Sequence, residues 1–301
     1  MRGGLKLRQS RLARSEERVA WLFLLPSLLL FLVFTALPVL SAFLISFTRW
    51  DLFNTPRLVW LQNYVALWND PIFRQVLGNT GYYVALTVPL QMIFGLLCAV
   101  GLNRGVPGQS VFRVLFFLPV VTSTVAVGLI WAWLFNSNFG LINMALSLLG
   151  STDLPKWLVS STWAMPAVII VSVWQGLGYP MVLFLAGLQN IRPELYEAAA
   201  IDGATGWSRF RHITLPLLSP MTFFVLIVSI IGSFQVFELV YVMTKAGPSN
   251  ATNTLVYYIY QNGFMFYQMG YASAAAMVLF LIVLVATLIQ YRLQDRWVHY
   301  D

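Results

Sequence analysis

Residues 19–47 read VAWLFLLPSLLLFLVFTALPVLSAFLISF, a run that contains no charged side chain. A helix needs about 20 apolar residues to cross the roughly 30 Å hydrocarbon core of a bilayer, so this run is long enough to do so. Similar apolar runs lie at 76–102, 111–135, 163–188, 217–243 and 270–291. The sequence therefore predicts an all-α integral membrane protein with six transmembrane helices.

The composition of the whole chain supports this fold class. Of the 301 residues, 59% are hydrophobic and 10% are charged, whereas an ordinary soluble domain has about 45–50% apolar and about 25% charged residues. These proportions exclude a soluble fold, a coiled coil and a disordered chain.

The first apolar run follows a basic segment, residues 1–18, as the core of a cleaved signal peptide would. Such a core has only about 7–15 apolar residues, which is much shorter than this run. We therefore expect residues 19–75 to form a retained first transmembrane helix followed by an extracytoplasmic loop.

The basic residues are distributed unevenly. Most of the 18 lysines and arginines lie in the N-terminal segment, in the loops around Arg104, Arg192 and Arg209, or in the tail at residues 292–301. Cytoplasmic segments of membrane proteins carry an excess of such residues. We therefore expect both termini to be cytoplasmic. The net charge of +7 is interpreted as a mark of membrane orientation, with no nucleic acid as a partner.

Residues suited to catalysis or metal binding are scarce. Cys98 is the single cysteine, and His212 and His299 are far apart with no ligand spacing around them. None of the lysines lies in a glycine-rich loop ending in Gly-Lys-Ser/Thr, which nucleotide hydrolysis requires. We expect no catalytic residue, no metal and no cofactor bound by this chain.

The loop at residues 189–216 is much more polar than the runs on either side. Pro193 suits the first turn of a helix, and Gly203 suits its end because glycine readily adopts the left-handed conformation. Thr205 can cap a second short helix, which Pro216 is expected to break before the next span. The two helices predict a docking surface for a cytoplasmic partner. A helical hairpin lying on lipid is the alternative.

Residues 197–204 of this loop read EAAAIDGA, and Ile213, Leu215 and Pro216 follow. This stretch resembles the EAA loop of binding-protein-dependent ABC importer permeases. The stretches WQGLGYP at 174–180 and FELVYVMT at 237–244 resemble the carbohydrate branch of that family, the maltose-permease-like subunits. The resemblance covers essentially the whole chain from the first span. The chain departs from the maltose subunit in having six spans and no large extracytoplasmic insertion, which leaves the substrate open.

The resemblance implies a type I ABC importer permease fold in the bacterial cytoplasmic (inner) membrane. Its core would be residues 76–291, with cytoplasmic coupling helices in an EAA loop at 189–220. The implied partners are a second homologous permease subunit, two ATPase subunits that use ATP and Mg, an extracytoplasmic solute-binding protein, a sugar and membrane lipid. The residues implied for ATPase coupling are Glu197, Ala198, Ala199, Asp202, Gly203, Ala204, Trp207, Phe210 and Pro216.

The resemblance also implies a set of substrate contacts for a di- or oligosaccharide. These are Val120, Thr124, Ser172, Gln175, Gly176, Phe234 and Gln235. Sugars are neutral polyols, which amides and hydroxyls bind by hydrogen bonds and aromatic rings cover. The absence of Lys and Arg favours a neutral sugar over the alternative, glycerol phosphate, although the second subunit could supply a charge. Each of these residues could instead serve in helix packing.

The residues alone also bear on two alternative classes of membrane protein. An ion-coupled secondary transporter usually carries ionisable side chains inside its spans as relays, and here only Glu238 clearly qualifies. A structural membrane protein would need no polar residues in the spans, and Gln175 and Gln235 argue against it.

Overall fold

The structure is a computed structural model that describes residues 11–105 and 107–298, without the side chains of residues 11–18. In chain order, its helices are α1 (Arg11–Phe31), α2 (Leu37–Ile45), α3 (Gln62–Asn69), α4 (Pro71–Leu102), α5 (Gln109–Val121), α6 (Thr124–Leu134), α7 (Leu141–Leu148), α8 (Ala164–Gly176), α9 (Gly178–Gln189), α10 (Pro193–Ile201), α11 (Gly206–Arg209), α12 (Leu215–Leu217), α13 (Ser219–Phe234), α14 (Glu238–Met243), α15 (Leu255–Tyr260) and α16 (Met269–Leu293). Three π-helical turns and one 3₁₀ turn join or follow these helices: Leu32–Ala36, Phe210–Thr214, Gln261–Met265 and Gln294–Arg296.

Strand is confined, in the described residues, to a two-stranded antiparallel hairpin after the first span. Strand β1 (Thr48–Arg49) pairs with β2 (Arg57–Leu58), with Thr48 opposite Leu58 and Arg49 opposite Arg57. The described chain is otherwise helices and their connections, which confirms the predicted all-α class.

Six helical spans account for the six apolar runs. Four have the length and composition to cross a membrane, namely Val19–Ile45, Pro71–Leu102, Ser219–Met243 and Met269–Arg296. Two further spans are bent pairs: α5 with α6 at 96°, and α8 with α9 at 41°. The predicted six-helix architecture is confirmed.

The third span, predicted at residues 111–135, is sharply bent, because the chain turns at residues 122–123. Pro119 lacks the N–H that would bond to the carbonyl of the preceding turn, and Thr122 is extended, with ψ 143°. The Thr122 hydroxyl donates to the Leu118 carbonyl at 2.9 Å, which satisfies a group that the break exposes. The fourth span bends near Pro180 for the same reason.

The fifth span, predicted at residues 217–243, is interrupted between α13 and α14. Phe237 has φ −138° and ψ −57°, outside the helical region. The Val236 carbonyl accepts a hydrogen bond from the Thr254 hydroxyl at 3.1 Å. The interruption is therefore supported by a neighbouring segment and places Gln235 in a break.

Helices α4, α8 and α9 form the centre of the fold. Most residues of α8 are buried, and α4 lies along both α8 and α9. The approach of α4 to α9 requires glycine at position 95, because a Cβ there would lie 2.8 Å from the Pro180 Cβ. Ser172 and Gln175 therefore lie on a helix that its neighbours hold in place.

Candidate functional site: a polar cavity and a helical docking surface

A cavity of about 320 Å³ lies among α4, the two bent spans and α13. Its lining consists of Tyr83, Gln91, Val120, Thr124, Ser172, Gln175, Gly176, Tyr179, Pro180, Val228, Ser229, Gly232, Ser233 and Leu239. Five of the seven residues proposed for substrate contact are therefore brought to one place: Val120, Thr124, Ser172, Gln175 and Gly176. Their role stays a prediction.

The bend between α5 and α6 creates part of this lining. It leaves the Thr122 carbonyl and the Thr124 hydroxyl facing Gln175, whose Nε2 lies 3.4 Å and 3.3 Å from them. The Ser172 hydroxyl donates to the Val168 carbonyl of its own helix at 2.8 Å. Non-helical backbone at membrane depth is tolerated where it is buried in protein or lines a water-filled cavity, and here Val120 and Thr124, on either side of the break, line a cavity.

Phe234 and Gln235 lie outside the cavity lining. Phe234 is half-buried and packs against the hydrophobic cluster around α8. Gln235 is exposed in the break that follows α13. Glu238, the acid that a relay would need, is also exposed, at the start of α14.

The most informative lining residue that we did not expect from the sequence is Gln91. Its Nε2 donates to the Ser172 carbonyl at 2.8 Å, which fixes an amide group at the cavity wall. Tyr83, Tyr179, Ser229 and Ser233 were likewise missed. Gln91 is the only amide in residues 84–102, which are almost entirely apolar, and this isolation is the signal that points to it, because unpaired polar groups are costly inside a span.

The lining offers amides, hydroxyls and backbone groups. It contains no carboxylate, ammonium, guanidinium or imidazole group among the described residues. Such a surface can form directional hydrogen bonds with a neutral polar solute. It has no charge with which to pair an ion.

The polar loop folds as a helical hairpin, α10 followed by α11. Helix α10 starts at Pro193, as predicted, and ends in a left-handed glycine, Gly203, with φ +75°. The Gly203 N–H donates to the Ala200 carbonyl at 3.1 Å and the Ala204 N–H to the Ala199 carbonyl at 2.8 Å, which is the Schellman pattern. The end of α10 is thus satisfied by the backbone.

Thr205 caps α11 by accepting a hydrogen bond from the Ser208 N–H at 3.3 Å, which confirms the predicted start. The prediction that Pro216 breaks this helix is wrong. The chain passes through the π-helical turn Phe210–Thr214 into Leu215–Leu217 and reaches α13. The wider π turn accommodates Pro216, which has no N–H to donate.

The hairpin presents an exposed surface, which we call the coupling surface and define as residues 197–210. Ile201 is 88% exposed and Trp207 69% exposed. The rings of Trp207 and Phe210 stack with centroids 5.6 Å apart. Glu197, Ala198, Asp202 and Gly203 are exposed, whereas Ala199, Ala204, Phe210 and Pro216 are partly buried. Exposed aromatic and acidic groups on a rigid hairpin suit contact with another protein.

Residues 91–299 match a family described as the inner membrane component of binding-protein-dependent transport systems. The arabinooligosaccharides transport system permease protein AraP of Bacillus subtilis is 39% identical over 93% of this chain and 89% of its own. The sn-glycerol-3-phosphate transport system permease protein UgpA of Brucella abortus is 35% identical over 93% of this chain and 96% of its own.

A solved structure has the same fold. It is a chain of a bacterial ABC transporter involved in the import of the acidic polysaccharide alginate, with a TM-score of 0.82 and 24% identity. The match covers 95% of this chain and 99% of that chain.

Proposed function

Because this chain belongs to the family of binding-protein-dependent transport system inner membrane components, we propose that it forms half of the pathway by which an ATP-driven importer carries a neutral di- or oligosaccharide. It is a multi-pass protein of the inner membrane. The observation that carries the sugar assignment is the cavity formed by the two bent spans, α4 and α13, with its amide and hydroxyl lining.

The chemistry of the cavity suits a sugar. Gln91 and Gln175 contribute amide groups to the lining, and Ser229 and Ser233 add hydroxyls from α13. Polyols bind through hydrogen bonds of this kind, and the rings of Tyr83 and Tyr179 can cover the C–H faces of a sugar. The name of AraP, a relative that transports arabinooligosaccharides, supports the same substrate class.

ATP-driven import requires subunits that hydrolyse ATP, and half of a pathway requires a subunit that forms the other half. The chain pairs with a second homologous permease subunit, which completes the pathway and faces Gln235. Two ATPase subunits, which use ATP and Mg, bind the coupling surface from the cytoplasm. An extracytoplasmic solute-binding protein delivers the sugar.

This chain itself binds no cofactor and no metal and catalyses no reaction. Both of its termini are cytoplasmic.

Glycerol phosphate is the second candidate, which the similarity to UgpA favours. A phosphate group is usually held by Arg or Lys. The lining of the cavity contains neither among the described residues. A glycerol phosphate importer would therefore take its charged contacts from the second subunit.

Transport by the reconstituted complex tests the proposal. Proteoliposomes containing this chain, its partner permease and the ATPase subunits are supplied with the solute-binding protein and with labelled mono-, di- and oligosaccharides or glycerol 3-phosphate. We expect uptake of a di- or oligosaccharide that requires both ATP and the binding protein. Uptake of glycerol 3-phosphate alone would overturn the sugar assignment. Uptake driven by a proton gradient without ATPase subunits would overturn ATP-driven import.

A further inference from the structure

A second cavity, of about 710 Å³, lies between the β hairpin, α3 and the start of α16. The C-terminal end of α16 lies near the start of α13, because the rings of Trp297 and Phe223 are 5.9 Å apart. Since α13 follows the coupling surface in the chain, the start of α16 lies at the opposite end of the bundle. In the orientation proposed above, this second cavity opens to the outside.

Two arginines face each other across the hairpin. Arg49 on β1 is the direct partner of Arg57 on β2, and both side chains line the second cavity. Neither guanidinium forms an ion pair or hydrogen bond with any residue that the structure describes. Like charges directly opposite each other destabilise a strand pair. An anion bound between them would remove that repulsion.

The acid in the lining does not neutralise the pair. Asp51 accepts hydrogen bonds from the N–H groups of Phe53, at 3.2 Å, and Asn54, at 2.9 Å, and from the Asn54 amide at 2.7 Å. The bonds from Asn54, backbone and side chain, lower the pKa of Asp51, so the carboxylate is ionised and held within the turn. With two guanidinium groups against one carboxylate, the cavity stays net positive.

The walls of this cavity are fixed by hydrogen bonds. Asn63 donates to the carbonyls of Ser46 and Thr48, both at 2.8 Å, which ties α3 to the hairpin. Gly270 allows the Thr48 carbonyl to approach α16, because a Cβ at that position would overlap the carbonyl oxygen. A site whose walls are already fixed loses little conformational entropy when it binds a ligand.

We propose that the second cavity receives an acidic side chain of the solute-binding protein and thereby docks that protein on the outer face of the permease. This inference rests on the proposed function for the existence of that partner. Arginine and aromatic residues dominate protein interfaces, and here Arg49, Arg57 and Tyr267 share one cavity. The amide of Gln268 adds a hydrogen-bond donor for a carboxylate beside the two guanidinium groups. A lipid phosphate is the alternative occupant.

The test measures ATP hydrolysis by the complete complex in nanodiscs while the concentration of the sugar-loaded solute-binding protein is varied. Charge reversal of both arginines, Arg49→Glu with Arg57→Glu, is compared with Arg74→Glu, an exposed residue near the same end that does not line the cavity. We expect the double variant to need about tenfold more binding protein for half-maximal stimulation. Its maximal rate and its basal rate should equal those of the wild type, and Arg74→Glu should match the wild type throughout.

An unchanged half-maximal concentration in the double variant would overturn the docking site. The double variant could instead lose ATP hydrolysis only in nanodiscs with anionic lipid, while the concentration of binding protein for half-maximal stimulation stays that of the wild type. That result would also overturn the docking site and would assign the cavity to a lipid headgroup. Failure of the proposed function gives a different result, because the wild-type complex would then show no stimulation at any concentration of binding protein.

Discussion

The amide group of Gln91 occupies the space that a side chain on Gly176 would fill. The two residues lie on α4 and at the end of α8, and the amide of Gln91 reaches the Ser172 carbonyl across the same gap. One wall of the cavity is therefore formed by the amide of Gln91 on α4, which packs against the end of α8 where Gly176 has no side chain. The first prediction follows from this contact.

We expect Gly176→Ala to displace Gln91 and to reduce sugar uptake. The new Cβ overlaps the amide, so the hydrogen bond to Ser172 is lost at a cost of about 0.5–1.5 kcal/mol. Gly101→Ala is the matched control, because a Cβ at that position of α4 meets nothing within 4 Å. Uptake assays at equal complex levels measure the difference. Equal uptake by both variants would show that the Gln91 contact is not part of the pathway.

Gln175→Leu should impair uptake while leaving assembly and basal ATP hydrolysis intact. The substitution removes the amide that faces Thr124 and leaves that hydroxyl without its partner, at a cost of about 1–3 kcal/mol if the group stays dry. Thr287→Val serves as the control, because it removes a hydroxyl from α16 that does not line the cavity. Normal uptake by the leucine variant would remove Gln175 from the substrate site.

The third prediction concerns the coupling surface. Gly203 has φ +75°, where a β-branched residue costs on the order of 1 kcal/mol or more, so Gly203→Val should rotate α11 together with Trp207. We expect the permease to insert and pair normally but to retain the ATPase subunits poorly during purification. Gly203→Asn should retain them better, because asparagine tolerates the left-handed conformation.

Charge reversal offers an independent test of the same surface. Glu197→Lys should weaken ATPase retention, whereas the hairpin-on-lipid alternative predicts unchanged retention and altered membrane association when Arg209 and Arg211 are replaced. Full retention and full stimulated hydrolysis in both Gly203→Val and Glu197→Lys would rule out coupling through this hairpin.

The fourth prediction concerns Asp70, which joins the ends of three helices. Its carboxylate accepts hydrogen bonds from Tyr258 at 2.5 Å, from Tyr271 at 3.0 Å and from the Ile72 N–H at 2.8 Å. Partial burial raises the pKa of Asp70, but the bonds from Tyr258, Ile72 and Tyr271 outweigh it, so the pKa is lowered from 3.8. A lowered pKa means that the contribution to stability is fully present above about pH 4 and is lost as the pH falls through the folded-state value.

Asp70→Asn should therefore destabilise the protein by about 1 kcal/mol at pH 7, a figure discounted for the partial exposure of the group. Thermal unfolding of the purified complex at pH 7 and in the acid range measures this. The variant should lose less stability on acidification than the wild type, and Asp153→Asn, an exposed acid, should behave as the wild type. The same pH dependence in the wild type and the Asp70 variant would contradict the assignment.

Much of the fold could be predicted from the sequence because hydrophobic length alone determines which segments can span a bilayer. The start of α10 at Pro193, its end at Gly203 and the cap at Thr205 were also predictable, since each depends on local backbone chemistry. The 96° bend after Pro119 was not, because a proline inside an apolar run fits both a mild kink and a full break. Only packing against neighbouring helices decides between them.

Only part of the candidate site could be predicted from the sequence. The family resemblance supplied Thr124, Ser172 and Gln175, which the structure brings together. Gln91 was missed because its partner, the Ser172 carbonyl, lies 81 positions away, and a single sequence carries no information on that pairing. Gln235 was placed in the same set, yet the break after α13 leaves it on an exposed face.

Chemical access to the cavity during transport shows whether the cavity is part of the translocation pathway. In a Cys98→Ser background, Ser229→Cys places a thiol in the cavity lining, and Thr287→Cys places one on α16 as a control. The reconstituted complex is treated with a small thiol-reactive reagent, and sugar uptake is measured with and without sugar-loaded binding protein during the treatment. We expect modification of position 229 to block uptake, transported sugar to slow this modification, and position 287 to show neither effect. Complete modification of position 229 with undiminished uptake would contradict the claim that this cavity is part of the translocation pathway.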